Sequence, residues 1–289
     1  MLSRRSEKVR MKRFGSFEKD VGGNEGQKCQ YSTRLDTYGC GCAHDCAYCY
    51  AKSLLDFRGL WDAKNPSVAD IDAIRRTIRK IRPGEIIRLG GMTDCFQPCE
   101  IIHRVTYKTI KMLNQRRIGY LIVTKSANVC RDEYMKIYDP ALAHFQITVT
   151  TLDDSLSRTY EKASDPSDRV KAILKLQDAG FDVAIRLSPL IEDYMDFEKL
   201  AGLGIRKAVV EFLRVNPWIR KWFDLDYSKY TVSQSGYRHL PLEEKKRIIG
   251  RVKIPEITVC EDVTDHYEYW KQNFNPNKED CCNLRRSKI

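Results

Sequence analysis

The chain has no long apolar run. Its longest, such as Tyr120–Val123 and Ala208–Val210, span only a few residues, against the roughly 20 a helix needs to cross a bilayer, so no membrane span is expected. No apolar signal segment opens the chain, and its cysteines are odd in number, eleven in 289 residues. A secreted disulfide framework is therefore the least supported reading. A reducing, cytoplasmic setting is expected, where clustered cysteines serve metals or catalysis. There is no internal repeat and no low-complexity tract, which leaves out solenoids and biased linker-type chains.

What is present is enough chain for one large α/β domain with an appendage. The net charge of +11 favours a polyanionic partner, because Lys and Arg gain affinity by displacing counterions from phosphates. The basic residues cluster in three places: Arg4, Arg5, Lys8, Arg10, Lys12 and Arg13; Lys245, Lys246, Arg247, Arg251 and Lys253; and Arg285, Arg286 and Lys288. Each is either a solvated face or a phosphate-holding surface.

Residues 1–26 read as a flexible basic arm ending in Gly22-Gly23-Asn24-Glu25-Gly26. Beyond it, strand-like and helix-like patterns alternate. Ile86–Leu89, Tyr120–Thr124, Phe145–Thr150, Asp182–Leu187 and Lys207–Phe212 read as strands, and Val105–Leu113 and Arg169–Gln177 as helices. With a first strand before Cys42, this makes about six βα units over 27–215, an α/β fold of parallel strands too short to close an eight-stranded barrel. Polar residues gather just after the strands: Thr93 and Asp94, Lys125 and Ser126, Thr150 and Thr151, Ser188 and Pro189. In a parallel barrel those are the positions where chemistry collects. From 216 to 289 the pattern changes to a C-terminal extension with an aromatic segment from Trp218 to Tyr237, a charged helix over Leu242–Arg251 and the strand-like Ile257–Val259. The aromatics suit either base stacking or a core and lid role.

Cys42, Cys46 and Cys49 fall in the run Gly41-Cys42-Ala43-His44-Asp45-Cys46-Ala47-Tyr48-Cys49-Tyr50. Three thiolates on one short loop can each hold one corner of an iron–sulfur cube and leave the fourth iron to a ligand that is not protein. The competing reading is structural zinc with His44 or a distant cysteine as fourth ligand, although zinc motifs more often come as two separated pairs. Cys260, Cys281 and the adjacent Cys282 form a second set near the C-terminus, a candidate for an auxiliary iron–sulfur cluster or zinc.

The cysteine loop with its tyrosines, together with Gly90-Gly91-Met92-Thr93-Asp94, Thr124-Lys125-Ser126 and the stretch from Tyr160-Glu161-Lys162 to Asp168-Arg169, resembles the radical S-adenosylmethionine (SAM) superfamily. Within it the likeness is to the spore photoproduct lyase-like group, over about Cys42 to Pro189. The resemblance implies a partial (β/α)6 barrel of the TIM type. It implies a [4Fe-4S] cluster on Cys42, Cys46 and Cys49 whose open iron takes the SAM amino and carboxylate groups, and an electron donor such as flavodoxin or ferredoxin. A 5′-deoxyadenosyl radical would then take hydrogen from the substrate.

By the same resemblance Tyr48 would lie against the adenine, Thr93 and Asp94 would hold the SAM amino group or ribose, and Lys125 its carboxylate. Gly91, Thr150 and Arg186 would complete the cofactor site. Tyr48 and Tyr50 match two tyrosines associated with hydrogen return, but where lyases of that group carry a donor cysteine this chain has Gly91. Cys95 is the nearest substitute. The expected reaction is therefore the rearrangement of a thymine-like base in DNA, as in phage-encoded relatives that remodel amino-acid-decorated thymines. The alternatives are dimer repair of the spore photoproduct lyase type, a radical SAM reaction on RNA, peptide or small molecule, and a non-catalytic nucleic-acid-binding metal protein.

Overall fold

The computed structural model describes residues 28–285 and the backbone of Arg13–Phe14 and Phe17–Glu18. Most of the basic arm expected over 1–26, like the last basic residues Arg286 and Lys288, lies outside the described residues. The two short pieces that are described form strands: Arg13–Phe14 pairs parallel to Ser67–Ala69, and Phe17–Glu18 pairs antiparallel to Arg34–Leu35.

The architecture is a single parallel sheet whose strands are laid down in chain order. They are β1 (Arg34–Leu35), β2 (Ile86–Leu89), β3 (Gly119–Thr124), β4 (Ala143–Thr148), β5 (Asp182–Leu190), β6 (Lys207–Phe212) and β7 (Glu256–Val259). Each pairs with the next. Among the described residues no ladder joins β7 to β1, so the sheet is a barrel wall with a lateral seam. The strands read as near-continuous apolar runs because both faces are covered, as parallel sheets require. Ile87, Leu89, Ile122, Phe145, Ile147, Ile185 and Val210 are buried in the main core. Helices such as Ile71–Ile78, Val105–Gln115 and Pro166–Asp178 fill the connections. Alternate residues face inward, where a second, smaller core joins Leu121 to Tyr31, Cys282 and Leu284.

Seven parallel strands are one more than expected. The seventh, Glu256–Val259, falls by its sequence pattern in the extension, because the aromatic segment and the hairpin Val232–Gln234/Tyr237–His239 interrupt the βα rhythm before it. Hydrogen bonding to Lys207–Val210 makes it a barrel strand. The segment 216–289 therefore builds part of the wall. Its aromatics mostly pack: Phe223 is buried against Tyr48, Tyr160 and Tyr194, while Trp218 stays partly exposed beside Phe57. No helix among the described residues is long and apolar enough to cross a membrane.

The helix Leu242–Ile249 is tied to the barrel rim by Glu192, just after β5. Its carboxylate accepts from Arg247 Nη1 at 2.7 Å and Nη2 at 2.5 Å, and from Arg251 Nη1 at 2.8 Å. The hydrogen bonds from Arg247 come first among the causes that pull its pKa down to about 2. Because the folded pKa lies below the unfolded one, this stabilisation is present above the ordinary Glu range and fades as pH falls toward 2. The arginines are half exposed, so solvent screening limits the contribution to about 1 kcal/mol. Glu192→Gln is expected to lower urea stability by about that much at pH 7 and by a shrinking amount below pH 4. A pH-independent difference would contradict this account.

Candidate active site

The cysteine loop follows β1 and is folded by contacts that only its own residues can make. Gly41 has φ +147°, and a Cβ there would stand 1.9 Å from the carbonyl oxygen of Asp62. Asp45 turns the chain at φ +42°, its carboxylate accepting from Lys52 Nζ at 2.7 Å and Lys162 Nζ at 3.1 Å. The loop is sewn to the rest by Ala47 N donating to Tyr160 O at 2.8 Å and Lys162 N to His44 O at 2.6 Å. Cys49 caps the helix Tyr50–Asp56, its sulfur accepting from Lys52 N at 3.4 Å.

The result places Cys42, Cys46 and Cys49 on one cavity of about 140 Å³. The opposite wall comes from the strand ends: Gly91, Thr93 and Asp94 after β2, Lys125 after β3, Thr148 at the end of β4, and Arg186 and Ser188 on β5. Burial pushes all three thiols above their ordinary pKa. Protonated buried thiols are inert, and a bound cation is what turns such a set into thiolates. Arg88 lines the same cavity with a buried Nε that has no hydrogen-bond partner among the described residues. The donor set fits a thiolate-held cluster with an anionic or acceptor-bearing molecule beside it.

Two carboxylates shape the wall, and one of them, Asp36, carries no signature in the sequence. It accepts from the backbone N–H groups of Gly91 at 2.8 Å, Met92 at 3.0 Å and Thr93 at 3.2 Å, so the loop after β2 is wound around it. Burial dominates and raises its pKa, the three N–H donors opposing. Gly90, at φ +82°, lies where a Cβ would be 2.8 Å from Val123 O, so only glycine allows the turn. A Cβ on Gly91 would meet Arg34 and Asp36 side chains at 3.1–3.3 Å, which leaves little room for the cysteine of the lyase pattern.

Asp94 accepts from Thr124 Oγ1 at 2.7 Å, Phe96 N at 2.8 Å and Lys125 N at 2.6 Å, and lies 3.2 Å from His44 Nε2. Burial works against its charge, yet His44 and these donors outweigh it and its pKa is lowered.

Tyr48 is buried, its hydroxyl donating to Glu161, which also pairs with buried Arg169. Its ring packs on Tyr160 and Phe223, and Lys125 Nζ stands 5.3 Å from its centroid. Glu161 and Arg169 belong to a stretch of the family-like pattern that assigns them no role, because a buried ion pair leaves no spacing signature. Tyr50 donates to Gly91 O at 3.0 Å and lines the cavity, under the Arg214 guanidinium. Arg186 crosses the barrel interior to Gln146 Oε1 at 2.6 Å and Glu211 Oε2 at 2.5 Å.

Three expected residues do not line this cavity: Tyr48 lines an adjoining one of about 120 Å³ that shares Cys46, Cys49, Tyr50 and Lys125 with it, and Cys95 and Thr150 lie elsewhere. Cys95 is buried in the main core, one step past Asp94, where the chain has turned inward and its carbonyl accepts from Thr106 at 2.6 Å. Thr150 is buried with its hydroxyl 2.9 Å from Tyr160, because β4 ends at Thr148, two residues earlier than expected. Thr148 stands on the cavity instead. Cys260, Cys281 and Cys282 do come together, on a neighbouring cavity, and Cys29 joins them. The largest cavity, about 350 Å³, opens at the opposite end of the strands near Tyr31, Ile86 and Arg285 and holds none of these residues.

A parallel barrel wall with three thiols at its strand ends is the arrangement of an enzyme class that carries an iron–sulfur cluster at the barrel mouth. The family model of the radical SAM superfamily matches residues 37–203, and the chain belongs to that superfamily. Membership implies a [4Fe-4S] cluster and SAM. Among solved structures, a spore photoproduct lyase complexed with dinucleoside spore photoproduct is similar with TM-score 0.60 and 18% identity, covering 87% of this chain and 79% of that one. A spore photoproduct lyase mutant gives TM-score 0.62 and 19% identity over 84% and 78%. The native anSMEcpe structure with bound AdoMet gives 0.51 and 10% over 78% and 63%. These likenesses show the fold. No curated protein matches the sequence.

Asp94→Ala leaves several buried donors unpaired and is expected to cost about 3 kcal/mol or more in urea unfolding. Cys95→Ala is expected to keep full SAM cleavage once the cluster is reconstituted. Loss of cleavage in a folded, iron-loaded Cys95→Ala protein would show that the thiol does reach the site.

Proposed function

We propose that this protein is a radical SAM enzyme that rearranges a thymine-like base, most simply an already modified one, in DNA. The observation that carries the radical chemistry is the convergence of Cys42, Cys46 and Cys49 with Lys125 on one cavity at the strand ends. When bound, the cluster and SAM supply a 5′-deoxyadenosyl radical that removes hydrogen from the substrate.

The chain's own residues position the reacting groups. Lys125 offers a point charge for a carboxylate, its ammonium standing over the Tyr48 ring. Asp36 and Asp94 fix the loop carrying Gly91 and Thr93, so that this wall needs no rearrangement on binding. Arg88, its Nε unpartnered among the described residues, suits a substrate acceptor group, and Tyr50 stands between the cluster loop and the barrel interior.

The net charge of +11 and the fold shared with a lyase solved with a dinucleoside spore photoproduct support DNA as substrate. Gly91, crowded by Arg34 and Asp36, supports a rearrangement: a substrate radical that isomerises and recovers its hydrogen from 5′-deoxyadenosine needs no separate thiol. Dimer repair is the second reading, favoured by that same fold.

Incubation of the reduced, reconstituted enzyme with SAM deuterated at the 5′ carbon and DNA carrying amino-acid-modified thymines tests this. Deuterium in an isomeric nucleoside, and DNA affinity falling steeply with salt, are expected. A shallow salt dependence with turnover only on peptide or small molecules would overturn the DNA assignment.

A further inference from the structure

The seam of the barrel is lined with cysteine. Cys29 precedes β1 on one edge, and Cys260 directly follows β7 on the other. The C-terminal tail brings Cys281 and Cys282 between them, and all four line one cavity of about 40 Å³. The tail is pinned there by specific bonds. Asp280 accepts from Tyr31 Oη, Asn283 Nδ2 donates to Glu256 Oε1 at 2.7 Å, and Arg285 N donates to Asp182 Oδ2 at 2.9 Å. Lys28 Nζ crosses the seam to Asp262 O at 2.7 Å.

The four thiols are free, and all of them face the same small cavity. Arg186 stands near Cys282 and Arg88 near Cys29, so cationic groups flank the place where thiolate charge would build. The cavity shares Tyr50, Arg88, Arg186 and Glu211 with the candidate active site.

We propose that Cys29, Cys260, Cys281 and Cys282 form a tetrathiolate zinc site that staples the open seam of the barrel behind the substrate wall. Four thiolates about 2.3 Å from one zinc ion lie roughly 3.8 Å from one another. Corners of an iron–sulfur cube lie farther apart. The cavity at the seam, about 40 Å³ against about 140 Å³ at Cys42, Cys46 and Cys49, has room for a single ion rather than a cube. Among the described residues no three His, Cys, Asp or Glu side chains stand in ready-made single-ion geometry. Zinc is therefore expected to draw the four thiols of this cavity together as it deprotonates them. The proposal does not rest on the identity of the substrate.

Metal analysis of the full-length protein separates this site from the radical cluster. Wild type, fully reconstituted, is expected to hold about four irons and one zinc. The Cys42→Ala/Cys46→Ala/Cys49→Ala variant is expected to keep one zinc and no iron, and to give with cobalt(II) the intense visible bands of tetrahedral thiolate coordination. Adding Cys260→Ala and Cys281→Ala is expected to remove the zinc. Should that variant not fold, Cys29→Ser alone is expected to weaken zinc at least tenfold in competition with a chromogenic chelator. Iron with sulfide in place of zinc in the triple variant, no metal at all, or unchanged affinity in Cys29→Ser would overturn the assignment.

Discussion

One buried carboxylate holds the site together. Asp94 takes hydrogen bonds from the end of β3 through Thr124 and the Lys125 backbone, fixes its own loop through Phe96, and meets His44 inside the cysteine loop. Three elements far apart in sequence are thereby set against each other: the loop bearing the thiols, the turn after β2 and the strand end bearing Lys125. A charged acceptor with three donors aimed at it is stable in the interior, and removing it strands those donors at once. The positions of Cys42, Cys46, Cys49 and Lys125 around one cavity depend on this join.

A second layer repeats the device. Asp36 organises the glycine turn, and the pair Glu161 with Arg169 supports Tyr48 from beneath. Buried ion pairs are weak sources of net stability but costly to break. Here they specify where a loop sits. The residues that the resemblance assigned to SAM are thus partly occupied by protein partners: Tyr48 bonds Glu161, Thr93 bonds Tyr38 O, and Asp94 accepts from Thr124, Phe96 and Lys125. Lys125 and Arg88 line the cavity beside them.

The barrel is legible in the sequence because parallel strands buried on both faces leave contiguous apolar runs, and Lys207–Phe212 is a strand to the residue. The ends of β2 and β3 are legible for the same reason, and with them Thr93, Asp94 and Lys125, whereas β4 ends two residues early and β5 runs on through Ser188 and Pro189. The metal loop is legible because its three ligands lie close in sequence. The features hidden from the sequence depend on contacts across long separations. Asp36 and Cys29 carry no local pattern, and only the fold shows that one sits under Gly91 and the other beside Cys260 and Cys282. Cys95 looks suitable by adjacency to Asp94, but one residue along a turn reverses the side chain's direction. β7 is hidden by the aromatic insertion before it.

The central claim is that the three clustered thiols power SAM cleavage at the barrel mouth. The most direct measurement is 5′-deoxyadenosine formed by the anaerobically reconstituted and reduced protein, set against its iron content. The account predicts production in the wild type and none in the Cys42→Ala, Cys46→Ala or Cys49→Ala variants. A wild-type protein that carries a full cluster, is reduced, binds SAM and makes no 5′-deoxyadenosine would contradict it.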